Sequence, residues 1–154
     1  MEKRKGINEA LQIAIKAHKW QQDRNGDHYI FHPMAVMQPF RFSGLEYCIA
    51  AVLHDVVEDS TVTIEEIGEK FGKEIQDIVD SLTRRDRETY HEFIARCGTN
   101  PKATLIKLSD IKDNTSPQRG QITPKYLEAK EILIHYLRTK YPQSYQLAID
   151  LNLT

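Results

Sequence analysis

Residues Glu46–Asp59, with the sequence EYCIAAVLHDVVED, form the most informative segment of the chain. The segment contains no glycine or proline and is mostly apolar, which predicts a buried helix that becomes polar at its C-terminal end. Neighbouring helical residues lie about 100° apart around the axis, so His54 and Asp55 can both reach one ion. Glu58 and Asp59 follow one turn later, where a carboxylate could orient a water molecule or accept its proton.

Another histidine and another acid outside this segment extend the set of donor atoms. His32 precedes the helix and Asp110 follows it, and together with His54 and Asp55 they supply two imidazoles and two carboxylates. Such a mixed nitrogen and oxygen set suits one divalent cation. The alternative is an ordinary His-Asp pair on a helix surface, but a cluster of ionisable groups beside an apolar core would be costly without a cation. The pattern therefore indicates a metal that activates water for attack on a phosphate ester.

The composition is typical of one compact domain. The chain has 154 residues, of which 40% are hydrophobic, and its formal net charge is -1. At this length we expect a single domain over residues 1–154 with a well-formed core. The charge gives no electrostatic reason to expect nucleic-acid or membrane binding, and no apolar run approaches the ~20 residues of a membrane span. The charged N-terminus lacks the apolar run of a signal peptide, so we expect a cytoplasmic protein.

The pattern along the chain predicts an all-α fold, namely a single-domain helical bundle. No segment alternates as a strand does, and no internal repeat is present. A helical bundle can bring three separate elements to one ion. Helix-start signals occur at Asn8, at Thr63 with Glu66, at Asn100-Pro101 and at Thr123-Pro124. The predicted helices are residues 8–21, one that opens at 32–33, 45–58, 63–72, 73–82, 90–96, 101–114, 124–139 and one that opens at 142.

Several residues outside the polar cluster have structural expectations. The first predicted helix places Leu11, Ile15 and His18 on one face, and Trp20 at its end is expected to pack against the core. Cys48 lies on the apolar helix and is expected to be a small core residue and not half of a disulfide. The charged residues 84–88 are expected to form a solvated loop. His28, His91 and His135 lack the spacing of metal ligands and are expected at the surface.

One ordered set of segments spans roughly residues 8–138. In chain order the segments are Ala17-His18, Gln21, Arg24, Gly26, Tyr29-Ile30, His32-Pro33, Leu53–Asp59, Phe71-Gly72, Ile106–Asp110 and Asn114. This order resembles the HD-domain phosphohydrolases, and within them the hydrolase domain of the RelA/SpoT proteins and the small alarmone hydrolases. The resemblance implies a bundle of the HD-domain type. It also implies removal of the 3′-pyrophosphate from the nucleotides ppGpp or pppGpp.

The resemblance also implies a ligand set and a pair of acids. The residues that act on water fall on Glu58 and Asp59, and which of the two takes the proton is left open. The usual ion of the family is Mn²⁺. The four implied metal ligands are His32, His54, Asp55 and Asp110.

Four residues are candidates for contact with the substrate. By the resemblance, Arg24 packs against the nucleotide base and Asn114 contacts the sugar-phosphate side. Lys107 lies one turn before Asp110 and could touch the substrate or pair with a carboxylate. His18 could lie on the phosphate side or could be a satisfied core histidine.

The chain departs from the family pattern at four positions, which keeps other functions open. Asn25 replaces a basic residue, His28 replaces a proline, Ile111 replaces a basic residue, and Pro117 replaces a hydroxyl residue. None of them is an implied metal ligand. The alternatives are a phosphohydrolase of another nucleotide or small phosphate compound, a sensor that binds a nucleotide without turnover, and a metal-free structural domain. The expected partner is a small nucleotide, and apolar residues in the last two helices could support a homodimer or could close the core.

Overall fold

The computed structural model describes residues 6–154, and these residues are organised almost entirely as helices. Within them, the only β-type pairing is an isolated bridge between Gln22 and His28, which confirms the all-α prediction. No described helix combines the length and apolar character that crossing a membrane requires. The charged N-terminal residues 1–5 lie outside the described part of the chain. The chain divides into two compact units, Met1–Thr83 and Arg84–Thr154, so one domain over residues 1–154 stays a prediction.

The first unit is built around one apolar helix. That helix, α3, packs against α1, α2 and α6, while α5 packs on α6. Every residue from Tyr47 to Leu53 is buried, as expected of a helix that is apolar on all sides. The elements of this unit are α1 Ile7–Ala17, α2 Phe31–Met37, a 3-10 helix Gln38–Phe40, α3 Leu45–Leu53, α4 Val56–Asp59, α5 Ile64–Phe71 and α6 Lys73–Leu82.

The prediction of one continuous helix over residues 45–58 is wrong. α3 ends at Leu53, and α4 begins at Val56. Between them Asp55 has φ -105° and ψ -2°, outside the usual helical values, so the helix is interrupted at the polar pair. Asp55 and Asp59 are nevertheless one helical turn apart, as predicted, since the Asp59 N–H donates to the Asp55 carbonyl at 3.0 Å.

The first helix begins earlier and ends sooner than predicted. It starts at Ile7, and the Gly6 N–H donates to the Glu9 carboxylate at 2.8 Å. It ends at Ala17, so Gln21 lies beyond it. A chain that has already left the helix can turn Gln21 toward other elements of the first unit.

The face of α1 that meets the core differs in part from the prediction, since His18 is buried as predicted but Ile15 is not. Ala10 and Ala14 are fully buried, whereas Ile15 is 54% exposed. Small alanine side chains let the backbones of α1 and α3 approach closely. Trp20 is 86% exposed, so the expectation that it packs against the core is wrong.

The second unit is organised around the longest helix, α9. α9 packs against α7, α8 and α10. The Asn100 side chain accepts hydrogen bonds from the N–H groups of Lys102 and Ala103, which confirms the predicted start of α8. Thr123 precedes α9 as predicted, but its side chain makes no capping hydrogen bond. The helices of this unit are α7 Tyr90–Cys97, α8 Pro101–Asn114, α9 Pro124–Lys140 and α10 Pro142–Asp150.

Residues 84–88 form a loop in which residues 84–87 are exposed, as predicted, whereas Glu88 is half-buried and paired. The Glu88 carboxylate accepts two hydrogen bonds from Arg96, at 2.8 Å from Nε and 2.9 Å from Nη2. It also accepts the Arg85 backbone N–H at 3.0 Å. The hydrogen bond from Arg96 is the main reason that the pKa of Glu88 falls to about 2. The pair ties the segment before α7 to the last turn of that helix.

Both cysteines are buried free thiols in the described structure. Cys48 lies on α3, and burial, aided by the charge of Glu46, raises the pKa of its thiol. Burial raises the pKa of Cys97 to about 12. Cys48 is therefore a small core residue, as predicted.

Candidate metal centre

Two elements of the first unit bring the predicted imidazoles together. His32 lies in the first turn of α2, and His54 caps the C-terminal end of α3, which packs against α2. The two ring centroids lie 5.2 Å apart, and each residue is 2% exposed. The sequence therefore places two buried imidazoles side by side, close to the break between α3 and α4.

The orientation of the His54 ring is fixed by a backbone carbonyl of the preceding helical turn. Its Nδ1 lies 2.7 Å from the Ala51 carbonyl oxygen. A carbonyl can only accept, so Nδ1 carries the proton and Nε2 of the neutral ring presents a lone pair. That Nε2 atom lies 3.0 Å from Oδ2 of Asp55. A lone pair and a carboxylate oxygen at this distance are compatible only if a proton or a cation lies between them.

The Asp55 carboxylate is the meeting point of this cluster. Its Oδ2 lies 3.7 Å from Nε2 of His32 and accepts a hydrogen bond from the Tyr29 hydroxyl at 2.6 Å. Two ligands at right angles, each about 2.1 Å from a divalent ion, are about 3.0 Å apart. The distance from His54 to Asp55 matches this value, and the distance from His32 corresponds to a wider angle. Asp55 Oδ2 is therefore close enough to each of the two imidazoles to share a divalent cation with it.

The two acids of α4 lie at the more open side of this cluster. Glu58 is exposed, and the Asp59 side chain is 29% exposed. Asp59 accepts a hydrogen bond from the Gln21 side chain at 3.1 Å. Burial raises the pKa of the Asp59 carboxyl; the bond from Gln21 lowers it, and the charge of Asp55 raises it further.

A groove of about 710 Å³ begins at Asp59. One wall is the face of α1 with Gln12 and Lys16, and the other includes Thr61 and Lys70. The groove belongs entirely to the first unit and gives solvent a route to the Asp59 carboxylate. Water can therefore reach this acid without passing through the apolar core.

Arg24 lies at the exposed tip of a closed loop. The Asp23 carboxylate accepts the backbone N–H groups of Asn25 and Asp27 at 2.8 and 3.0 Å. Gly26, with φ +83°, makes the tight turn that follows Arg24. The loop holds its own shape while Arg24 stays accessible from solvent.

Three predicted site residues lie together on α8 in the second unit. Asp110 is buried, and its two carboxylate oxygens have different partners. Lys107 donates to Oδ2 at 2.7 Å, and Asn114 donates to Oδ1 at 3.0 Å. Lys107 therefore pairs with a carboxylate, which was one of its two expected roles. Contact of Lys107 or Asn114 with a substrate stays a prediction.

Two polar residues acquire a role here that the sequence did not assign. Tyr29 donates to Asp55, and Gln21 donates to Asp59. Both belong to the ordered set of short segments, and that position was the only available signal. The hydrogen bonds themselves depend on the turn after α1, which spacing along the chain does not reveal. His28, His91 and His135 are exposed, as predicted.

Comparison with known proteins gives one family and several relatives. A family model described as the HD domain matches residues 10–111. A guanosine-3′,5′-bis(diphosphate) 3′-pyrophosphohydrolase of Aquifex aeolicus is 31% identical over 85% of this chain and 21% of its own length. A probable GTP pyrophosphokinase of Mycobacterium leprae is 34% identical over 73% of this chain and 16% of its own length. The bifunctional (p)ppGpp synthase/hydrolase SpoT of Escherichia coli K12 is 28% identical over 88% of this chain and 23% of its own length.

A solved structure shares the fold over nearly the whole chain. It is described as a metazoan ortholog of SpoT that hydrolyzes ppGpp, and it superposes with a TM-score of 0.71 at 22% identity. The match covers 98% of this chain and 96% of that one. The chain spans less than a quarter of the length of the three curated relatives, between 16% and 23%.

The matched family and the arrangement of side chains point in the same direction. Residues 10–111 include His32, the adjacent His54 and Asp55, and Asp110. They make up well over half of the chain, and the solved structure adds the same helical fold. The protein belongs to the HD-domain family.

Proposed function

We propose that this protein is a metal-dependent phosphohydrolase that uses water as the nucleophile. The observation that carries the proposal is the 3.0 Å approach of His54 Nε2 to Asp55 Oδ2, beside a second buried imidazole. In a metal-free structural domain, the burial of these ionisable groups in one cluster would cost free energy that no bound ion offsets. A divalent cation would convert the same cluster into a stable set of ligands.

The proposed ligands are two imidazoles and two carboxylates. His32, His54 and Asp110 are buried residues of the types that hold a divalent ion, and Asp55 lies between the two imidazoles of the first unit. The hydrogen bonds that Asp110 accepts from Lys107 and Asn114 are of the kind that orient a ligating carboxylate. Mn²⁺ is the proposed ion.

A divalent cation in this position would offset the charge of a phosphate group and lower the pKa of water. Glu58 and Asp59 are proposed to hold the attacking water and to take its proton. Gln21 donates a hydrogen bond to the Asp59 carboxylate. Both acids are exposed, as groups that meet a water molecule and a substrate must be.

The proposed substrate is guanosine 3′,5′-bis(diphosphate), and the proposed reaction releases its 3′-pyrophosphate. Two observations support it, namely the name of the Aquifex aeolicus relative and the order of short segments shared with the RelA/SpoT-type domains. Arg24 is proposed to pack against the base, and Asn114 and Lys107 are proposed to contact the sugar-phosphate side. Contact of His18 with the substrate stays a prediction.

The second candidate is hydrolysis of another nucleotide or small phosphate compound. The departures at Asn25, Ile111 and Pro117 favour it, because each removes a basic or hydroxyl group expected near the nucleotide. A nucleotide sensor without turnover is disfavoured, because sensing does not require Glu58 and Asp59. A homodimer and a cytoplasmic location stay predictions.

Product analysis tests the proposed function directly. Purified protein is stripped of metal, supplied with Mn²⁺ and ppGpp, and the products are separated by anion-exchange chromatography. We expect GDP and pyrophosphate from the wild type. Asp55→Ala should give no product, because the substitution removes a ligand and a negative charge.

The outcomes separate the substrate from the chemistry. If the wild type releases no product from ppGpp while metal is bound and the fold is intact, the alarmone assignment is wrong. A panel of other nucleotides then tests the broader phosphohydrolase proposal. Equal turnover by wild type and Asp55→Ala would contradict the proposed metal site itself.

A further inference from the structure

A buried histidine lies behind the acids of α4. The His18 side chain is 0% exposed, and its ring centroid lies 4.9 Å from that of Tyr29. Its Nδ1 lies 2.8 Å from Oε1 of Gln21. Among residues 6–154, its Nε2 has no hydrogen-bond partner. Among the described residues, the His18 side chain thus has one hydrogen-bond partner, and this partner is Gln21.

The direction of the hydrogen bonds through Gln21 follows from their two ends. Nε2 of Gln21 lies 3.1 Å from Oδ2 of Asp59, and an ionised carboxylate can only accept. The amide nitrogen therefore faces Asp59 and the amide oxygen faces His18. That oxygen also can only accept, so Nδ1 of His18 must carry a proton. Hydrogen bonds run from His18 to Gln21 and from Gln21 to Asp59.

The Asp59 carboxylate lies on a short helix and is partly open to solvent. It lies in α4, a helix of 4 residues next to the interruption at Asp55. Its side chain is 29% exposed beside the groove, and Nδ1 of His18 is 3.9 Å away, beyond hydrogen-bond distance. The bond from Gln21 is thus the contact that restrains this carboxylate from the direction of the core.

We propose that Gln21 is a positioning residue that fixes the orientation of the Asp59 carboxylate, and that His18 fixes the amide of Gln21. This inference rests on the proposed role of Asp59 in holding water. His18 then acts through two hydrogen bonds and does not touch the substrate. The buried ring is suited to this task, because a neutral imidazole with a protonated Nδ1 allows only one orientation of the amide.

Replacing Gln21 with leucine removes both hydrogen bonds at similar volume. With the substrate that the wild type hydrolyses, we expect kcat to fall about 10-fold to 100-fold, as is common for residues that orient an active group. KM and Mn²⁺ affinity should change less than about 3-fold, since Gln21 contacts no proposed ligand. Gln22→Leu, at the exposed neighbouring glutamine, is the matched control and should retain wild-type kcat.

A double-mutant cycle separates this inference from the proposed function. If Gln21 acts through Asp59, then Gln21→Leu should cause no further loss of kcat in an Asp59→Ala background. Additive losses would overturn the positioning role of Gln21. Wild-type kcat in Asp59→Ala alone would instead show that Asp59 does not act on water, whatever Gln21 does.

Two substitutions of His18 distinguish the atom that matters. Asparagine carries an N–H group on Cγ, where histidine carries Nδ1, so His18→Asn can still donate to Gln21. Glutamine extends its N–H group one atom further, toward the position of Nε2. We expect His18→Asn to retain more kcat than His18→Gln. The reverse order would overturn the inference and favour contact of Nε2 with the substrate.

A measurement without substrate tests the same bonds if ppGpp is not hydrolysed. In ¹⁵N NMR of the metal-stripped protein, the His18 ring should show a protonated Nδ1 and an unprotonated Nε2. The Nδ1 resonance should shift in Gln21→Leu and stay in place in Gln22→Leu. A neutral ring protonated at Nε2 would overturn the proposed direction of the hydrogen bonds.

Discussion

A neutral hydroxyl contacts the central carboxylate of the candidate site. Tyr29 donates to Asp55 Oδ2 at 2.6 Å, the same oxygen that lies near His32 and His54. A hydrogen bond to a ligating oxygen fixes its direction and leaves its charge in place. Tyr29 thus contributes to the orientation of Asp55 toward the two imidazoles without carrying a charge itself.

Tyr29→Phe should weaken Mn²⁺ binding while leaving the fold intact. Loss of a group that orients a ligand costs about 10-fold to 100-fold in metal affinity. Isothermal titration of Mn²⁺ into metal-stripped protein measures this change. Tyr145→Phe, which removes the hydroxyl of a half-buried tyrosine on α10, is the control. Unchanged affinity in Tyr29→Phe would show that the hydroxyl does not orient a ligand.

Residue types and their order along the chain predicted the histidines and acids of the candidate site, whose role as ligands stays a prediction, and the structure brings His32, His54 and Asp55 close together. His54 and Asp55 are adjacent, and His32 belongs to a recognisable His-Pro step, so their pairing needed no structure. The contacts of Gln21 and Tyr29 could not be predicted in this way. They depend on where α1 ends and how the following loop turns, and both result from packing of the first unit.

Among the elements, the interruption between α3 and α4 is the feature that sequence pattern missed. The apolar period continues from Leu53 to Val56 and Val57, so periodicity predicts an unbroken helix. Asp55 adopts backbone angles outside the helix, and its side chain accepts from Tyr29. Tertiary contacts of the polar pair thus overrode a local preference. The helix starts marked by Asn100 and Thr63 were confirmed, because capping is a local interaction.

Capping bonds give a comparison between two threonines. Thr63 Oγ1 accepts the Glu66 N–H at 3.2 Å, and the Glu66 carboxylate accepts the Thr63 N–H at 2.8 Å. Thr63→Ala should lower the free energy of unfolding by about 1 kcal/mol. Thr123 makes no capping bond, so Thr123→Ala should cost less than about 0.5 kcal/mol. Urea denaturation followed by circular dichroism measures both, and equal losses would contradict the capping role of Thr63.

Because Glu88 and Arg96 form an ion pair, we expect the segment before α7 to lose stability in acid. The pKa of Glu88 is lowered to about 2 from an ordinary value of 4.5, mainly by Arg96, so the charged form is favoured in the folded state. Its contribution to stability, on the order of 2 kcal/mol, is present above pH 4.5 and is lost as the pH falls toward 2. Glu88→Gln should lower the free energy of unfolding at pH 7. It should also make this free energy depend less on pH between these two values.

An exposed pair serves as the control for this measurement. Lys73 and Asp77 lie 2.6 Å apart on α6, but their side chains are 79% and 50% exposed. Such a pair contributes little, so Asp77→Asn should change the free energy of unfolding by less than about 0.5 kcal/mol. Denaturant titrations at a series of pH values compare the two variants. A parallel pH dependence in wild type and Glu88→Gln would show that the pair does not provide the acid-sensitive term.

At the scale of the whole molecule, metal binding should stabilise the folded chain. A ligand that binds only the folded state, at a free concentration about 100 times its Kd, adds about 2.7 kcal/mol to the free energy of unfolding. For a chain of this size, this corresponds to a rise in Tm of about 5–10 °C. Differential scanning calorimetry with and without Mn²⁺ measures the shift. Asp55→Ala should show almost none. Equal shifts in both proteins would mean that Mn²⁺ binds elsewhere.

The fold class could be predicted because one helix is apolar on every side. A helix such as α3 must be enclosed by other helices, and nothing in the chain alternates as a strand would. The division into two compact units could not be predicted, because no glycine-rich or proline-rich linker marks Thr83 and Arg84. The side of α1 that faces inward was also missed, since buried alanines at Ala10 and Ala14 give a weak hydrophobic signal.

The exposure of Trp20 determines which spectroscopic signal can follow unfolding. It is the single tryptophan of the chain, its side chain is 86% exposed, and the Lys19 ammonium lies 4.8 Å from the ring centroid. An indole already surrounded by water emits at nearly the same wavelength before and after denaturation. The emission wavelength of the intrinsic fluorescence will therefore change little on global unfolding. The same emission, probed with a soluble collisional quencher, becomes a selective reporter of the turn that leads from α1 to Gln21.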